Sequence, residues 1–445
     1  MKYNNLIKFL IILSIVTTAF GLEWKSLGIE PRRSVSMIVD SLNQRIILFG
    51  GTSMYTTGRW YSDVWEMSLD SIQGYMWHKL PVSGTPPAPR CDHSAVYDSR
   101  NQRMIVFGGW TAGGFVNDVW ALNLTIGQES WVRLNPSGTP PVPRYDAYTI
   151  YHPRRNSLII FGGTGHYTRY GDVWELKLDR MVWQEITVSG NKPAARGGGG
   201  EMFDRTNNRM IIFGGSCLDY AYNEVWALDL TLGNEQWTQL RPTGYMPAAR
   251  SDIAYGSDPR RGTNKFYVFA GWTFPHSPYY NDLYVLDLNS LVWTRLNPTG
   301  DLPEERRNPT GVYDFFNDNF FVFGGDFGGG YYGETFYINL SSDDIQEWQS
   351  KPMITVTPSL FVNSTTTGKV RIRYILPKTC NINLKILDTN GRIVRNLFSG
   401  KINSESDWLL WDMKDNNDRT VSSGVYYCFL ETEDTGISKK FVIAK

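Results

Sequence analysis

Histidine is scarce in this chain, with five in 445 residues, and cysteine is scarcer still, with four. His78, His93, His152, His166 and His276 form no paired metal motif, and the spacing of Cys91, Cys217, Cys380 and Cys428 matches neither a zinc nor a haem pattern. Charge of one sign is also missing, because 44 basic residues balance 44 acidic ones. A nucleic-acid surface needs a basic excess to displace counterions, so nucleic acid is excluded as a partner. No phosphate loop or nucleophile elbow is present, and the run from Gly197 to Gly200 follows Arg196 at a strand start without opening a helix. No segment after residue 21 is apolar and long enough to cross a bilayer. No cofactor and no metal are therefore expected.

The amino terminus has the pattern of a secretory signal. Lys2 and Lys8 precede an apolar run from Phe9 to Ala19, and Ala19 and Gly21 supply small residues for cleavage after Gly21. Residues 1–21 are thus expected to be removed, leaving a secreted or cell-surface protein with no transmembrane span. An oxidising compartment would allow disulfides, and Cys380 with Cys428 is the one pair considered for a bridge.

What is abundant is glycine, at 42, and aromatic residues, at 14%. They fall into a repeat. An apolar run ending in two small residues recurs six times, with its first small residue at Gly50, Gly108, Gly162, Gly214, Ala270 and Gly324. Downstream stand Trp65, Trp120, Trp174, Trp226, Tyr284 and Phe336 in units such as DVWEMSL, and then Trp77, Trp131, Trp183, Trp237, Trp293 and Trp348. Upstream, a Pro-rich turn closes on Arg32, Arg90, Arg144, Arg196, Arg250 and Arg306. Each unit reads as four short antiparallel strands, a to d, from period-2 alternation, β-branched content and Pro/Gly turns. The Trp side chains are expected to fill the wedges between stacked units.

These motifs resemble the kelch repeat over residues 22–350. The resemblance implies an all-β fold built on a six-bladed kelch-type β-propeller, and a binding role, although one branch of the family is enzymatic. The segment Glu23–Leu27 is expected to close the last blade, in competition with Glu347–Gln349. After a linker at 351–358, residues 359–445 alternate as a small immunoglobulin-like β-sandwich with a hairpin turn at Asn390-Gly391. Asp388, Gly391, Trp411, Asp412, Asp415, Ser423 to Tyr426 and Lys439-Lys440 resemble the C-terminal sorting domain of type IX secretion cargo and the related domain of flagellar hook-capping proteins. That resemblance implies secretion machinery as a partner. The Asn-Pro-Phe opening of the sorting family is replaced here by Pro358-Ser359-Leu360-Phe361, which leaves an ordinary structural or adhesive sandwich as the alternative.

In an antiparallel blade the start of a, the end of b, the start of c and the end of d share one face. Two positions after each repeat arginine lie Ser34, Asp92, Asp146, Gly198, Asp252 and Asn308. The resemblance places this position in a ligand pocket. Three carboxylates there would make the mouth negative and suit a cation, a basic peptide group or a polyhydroxyl ligand; the competing reading is that each Asp only caps its own turn. The b-to-c loops are rich in aromatics, Trp110 and Trp272 foremost because both directly follow their small-residue pairs, and His93, beside Cys91 and Asp92, joins the set. The expected function is non-enzymatic binding of a protein or carbohydrate ligand through this face. The alternative is a secreted kelch-type oxidase or carbohydrate-active enzyme. The copper-radical branch uses two His, two Tyr and a Tyr-linked Cys, a set that His93 with Cys91 leaves incomplete.

Overall fold

The computed structural model describes residues 29–54, 58–69, 75–260, 262–273, 278–300, 302–340, 347–350, 359–364, 370–375, 380–402, 407–432 and 436–443. The signal-like segment, Glu23–Leu27, Tyr55, Phe274, His276 and the linker fall outside them. Strands make up every regular element among the described residues, and no helix there is long and apolar enough to cross a membrane.

The first repeat forms strands Ser36–Asp40, Arg45–Phe49, Val64–Ser68 and Trp77–Lys79, hydrogen-bonded in chain order and antiparallel. The same order recurs in five more sheets, the last running from Thr310–Asp314 to Glu347–Ser350. The outer strand of that last sheet therefore comes from its own repeat: Glu347–Ser350 pairs with Thr335–Asn339, at the place that Glu23–Leu27 was expected to fill. Strand b is buried along its whole length in Arg45–Phe49, Ser157–Phe161 and Asn319–Phe323. Each sheet is covered on both faces by its neighbours, which is why this strand reads as an unbroken apolar run instead of an alternation.

Neighbouring repeats share their cores. One cluster joins Phe49 and Ile47 to Met104 and Trp131, the next joins Phe107 to Leu158 and Trp183, and the series ends with Leu48 and Met37 of the first repeat against Phe321 and Phe323 of the last. The fourth-strand tryptophans fill the wedges as expected. Trp131 lies 4.9 Å from Phe49, Trp183 5.6 Å from Phe107, Trp237 4.9 Å from Phe161 and Trp293 5.1 Å from Phe213. Trp77 of the first repeat lies 6.1 Å from Phe323 of the last, and its indole N–H donates to Thr335 Oγ1 at 2.7 Å. The inner strands follow one another side by side, and Ser36–Asp40 lies against both Ser94–Asp98 and Thr310–Asp314.

At the carboxyl end, strands Ser359–Ser364, Val370–Ile375 and Asp407–Trp411 form one sheet, and Cys380–Leu387, Ile393–Ile402, Gly424–Thr432 and Gly436–Ile443 another. They share a core that includes Ile372, Leu384, Trp411, Cys428 and Phe441. The motif residues there hold turns. Asp388 accepts the backbone N–H groups of Asn390 and Arg392, Asp415 accepts those of Asn417 and Arg419, and Trp411 donates to the Lys414 carbonyl at 2.8 Å. Cys380 and Cys428 are both buried, and neither forms a disulfide. Cys428 stands opposite Ile386, six residues along the strand from Cys380. That separation is about 20 Å, whereas a disulfide requires Cα atoms within about 7 Å, so the considered bridge is excluded by register.

Candidate functional site

Two concentric sets of repeat residues build the loop face. The outer set is the repeat arginines. All six are buried to within 1% exposure. Arg144 is typical: its guanidinium donates to Asp172 Oδ1 and Oδ2 at 2.6 and 2.8 Å and to the Gly162 carbonyl at 2.8 Å, and it lies 4.1 Å from the Tyr170 ring centre. Asp172 also accepts the Trp174 indole N–H at 2.7 Å. Burial opposes ionisation of Asp172, but the hydrogen bonds and charge of Arg144 outweigh it and hold the carboxyl below its usual range. Arg32, Arg90, Arg196 and Arg250 repeat the ion pair with Asp63, Asp118, Glu224 and Asp282. Tyr61, Tyr222, Tyr280 and Tyr332 repeat the ring contact. Tyr170, Tyr222, Tyr280 and Tyr332, four of the b-to-c loop aromatics, thus serve the scaffold. Where the first small residue of the pair is glycine, it has a matching reason to lack a side chain: a Cβ on Gly162 would lie 2.5 Å from the Arg196 carbonyl of the next repeat.

The inner set is the ring expected from sequence. Ser34, Asp92, Asp146, Asp252 and Asn308 all adopt positive φ, between 52° and 56°, and Gly198 sits at 74°. This left-handed region favours Gly, Asn and Asp. Each ring residue donates its N–H to the carbonyl of the one before: Asp92 to Ser34 (3.1 Å), Asp146 to Asp92 (2.9 Å), Gly198 to Asp146 (3.1 Å), Asp252 to Gly198 (2.6 Å) and Asn308 to Asp252 (2.8 Å). Ser34 donates to Asn308 at 3.2 Å, so the series returns to its start. The turn is served by the backbone, which leaves the side chains available.

Those side chains surround the mouth of a channel of about 730 Å³ that runs between the inner strands. Burial and then the charge of Asp92 raise Asp146 well above the usual carboxylate range, and burial with the charge of Asp92 pushes Asp252 up to about 6. Asp252 accepts the Trp272 indole N–H at 2.7 Å, and Asp92 accepts the Cys91 thiol at 2.9 Å. Three residues deeper, Glu201 accepts the Thr149 backbone N–H at 3.1 Å and the Tyr255 hydroxyl at 2.7 Å, and burial raises its carboxyl to about 8.

The rim also carries arginines that sequence reasoning missed. Arg33 and Arg307 both bind Asp326, at 3.1 and 3.2 Å, and Arg307 lies 4.7 Å from the Trp272 ring centre. Arg169 donates to the carbonyls of Ser216 and Thr168, both at 3.3 Å. The mouth is therefore less negative than three carboxylates alone imply. No group of three or more His, Cys, Asp or Glu among the described residues stands close enough to hold a metal ion.

His93 lies along the channel wall but is almost wholly buried. It is 7% exposed, its Nε2 lies 2.7 Å from Ser36 Oγ, and its ring meets Phe49 edge-on at 5.0 Å. Burial and the charge of Arg90 lower its pKa to about 3, so it stays a neutral packing residue between the first two sheets. Trp110 sits half-buried in a surface cluster with Trp60, Phe115 and Tyr145, at 5.7 to 5.9 Å. Trp272 stacks on Tyr279 at 5.9 Å, and Tyr279 meets Phe327 at 4.9 Å.

The chain matches the family described as the KLHDC2/KLHL20/DRC7 Kelch-repeats domain over residues 17–128, 71–257 and 261–369. It is 29% identical over 315 residues to the flagellar outer-arm dynein alpha chain of Chlamydomonas reinhardtii, covering 66% of this chain and 7% of that protein. Over 121 residues it is 36% identical to dynein regulatory complex subunit 7 of the same organism, covering 26% and 10%. It is 27% identical over 308 residues to Adagio-like protein 3 of Oryza sativa subsp. japonica, covering 65% and 46%. The chain thus spans less than half the length of these relatives. The solved structure of YjhT aligns with a TM-score of 0.54 at 16% identity over 72% of this chain and 97% of that one, a likeness of fold.

Proposed function

The chain belongs to the kelch-repeat family, and we propose that its six sheets are the blades of one closed propeller that binds a protein partner through the loop face, without catalysis. The observation that carries this reading is a single charged channel mouth flanked by partly exposed rings, Trp60, Trp110 and Tyr145 on one side and Trp272, Tyr279 and Phe327 on the other. Rigid amphipathic rings bind at small entropic cost. Closure is supported by the hydrogen bond from Ser34 to Asn308 and by the seating of Trp77 on Phe323. In this reading the protein is exported by its amino-terminal signal, and the carboxyl-terminal pair of sheets is an immunoglobulin-like sorting or adhesive domain.

The test is to probe peptide and glycan arrays with the full chain and with a Trp110→Ala/Trp272→Ala variant. Loss of two aromatic contacts is expected to weaken peptide binding at least about tenfold. Signal on glycans alone would transfer the face to carbohydrate, and no signal on either array would refute it. Export predicts an amino terminus near Leu22 in the secreted or surface fraction, and retention of Met1 on protein inside the cell would refute it.

A further inference from the structure

We propose that the channel mouth is a receptor for an arginine side chain of the partner polypeptide, received among Asp92, Asp146 and Asp252. The proposal rests on the loop-face reading and specifies its chemistry. Three observations support it.

The first is that the ring does not need its charge. The left-handed backbone and the circle of hydrogen bonds are made equally by Ser34, Gly198 and Asn308, so the fold accepts neutral residues where three positions carry carboxylates. The second is unspent hydrogen bonding. Ser34 Oγ in the ring and Thr149 Oγ1 below it have no hydrogen-bond partner in the protein, although the two residues are only 8% and 5% exposed and both line the channel. The third is spacing. The acidic groups are too dispersed to cage a metal ion, whereas a planar guanidinium presents five N–H donors over several ångströms and suits separated carboxylates better than a point charge does. The rim already shows the accompanying contact, since Arg307 lies over the Trp272 ring.

A guanidinium binds ionised carboxylates. The groups that face the site are Asp92, Asp146 and Asp252 of the ring, Cys91 hydrogen-bonded to Asp92, Tyr145, Arg33, Arg169, Arg307 and Asp326 at the rim, and His93 and Glu201 along the channel wall. Because burial and the charge of Asp92 push Asp252 up to about 6 and raise Asp146 well above the usual carboxylate range, affinity should rise with pH as protons leave them, Asp252 through about 6.

The experiment uses the full chain and a peptide array in which one central position is Arg, its neutral isostere citrulline, or Lys. Arg peptides are expected to bind at least about tenfold better than citrulline peptides. The preference should vanish in Asp92→Asn/Asp146→Asn, which keeps the left-handed ring because Asn308 already occupies it. In the unsubstituted protein, Arg binding should strengthen from pH 5 to pH 8, a readout that does not depend on the variant folding. Equal binding of Arg and citrulline would overturn the cation site while leaving the loop face intact. Lys exceeding Arg would overturn the guanidinium assignment. Absence of peptide binding altogether would overturn both the receptor and the reading beneath it.

Discussion

Asp252→Asn tests directly whether the ring carries charge at a cost to stability. The Asp252 carboxyl is raised from 3.8 to about 6, by burial first and the charge of Asp92 second. Each unit is worth about 1.4 kcal/mol, so ionising this group costs the folded chain at most about 3 kcal/mol. The residue is only half-buried, and water at its exposed edge lowers the figure to about 1–2 kcal/mol. The folded state holds this proton more tightly than the unfolded state. The penalty is therefore absent below about pH 4 and complete once the pH has passed about 6. Asparagine keeps both structural duties, since it suits a φ of 55° and its amide oxygen still accepts from the Trp272 indole N–H. In calorimetry of the full chain at pH 8, the variant should unfold a few degrees later than the parent, and the gap should close at pH 4.5. A lower midpoint at pH 8, or a gap indifferent to pH, would refute the account of charge strain.

Two further substitutions test the scaffold. Arg144→Met leaves Asp172 without its bidentate partner and should cost about 3 kcal/mol, the low end for a buried pair because the Asp172 side chain is 23% exposed; an unchanged unfolding midpoint would show the arginine set to be dispensable. Trp77→Ala removes the contact on Phe323 and the bond to Thr335, and should cost about 2–4 kcal/mol. In a double-mutant cycle with Phe323→Ala the two should be coupled, and strict additivity would mean that the first and last repeats do not support one another.

The repeat frame was legible because each sheet demands the same local chemistry, an apolar central strand between a tight turn and a small-residue pair. The tryptophan wedges followed for the same reason. The ring positions were legible from their offset of two from each arginine. Their left-handed conformation supplies the cause, since Gly, Asn and Asp recur there where φ is positive. Less legible was anything that depends on a partner from far along the chain. Arg90 meets Asp118 across 28 residues and Arg250 meets Asp282 across 32, with no local period to announce either pair. A signal was present all the same: an acidic residue stands two places before the first aromatic of each unit, as in Asp63, Asp118, Asp172, Glu224, Asp282 and Glu334. His93 was legible only in part: it lies on the channel wall, but its partners Ser36 and Phe49 come from the preceding repeat, which nothing beside Asp92 announces. Arg33 and Arg307 were hidden beside frame arginines, and their joint partner Asp326 links the first and last repeats, a meeting that only the arrangement of the inner strands reveals.

The two arginine and aspartate sets decide between scaffold and site on energetic grounds. Both recur with the frame, so recurrence cannot separate them. Arg32, Arg90, Arg144, Arg196 and Arg250 are each answered by a carboxylate and a backbone carbonyl, and the strength of those bonds is spent within the fold. The ring carboxylates stand in the opposite condition. Asp146 and Asp252 are pushed toward protonation by burial and by their neighbour Asp92, and the rim arginines offset this only in part. A group that costs stability, at a position where glycine, serine and asparagine meet the same backbone demand, is retained most economically if its charge is used on something outside the chain. By that reasoning the arginine set is architecture, and the mouth of the channel is where binding chemistry is to be sought.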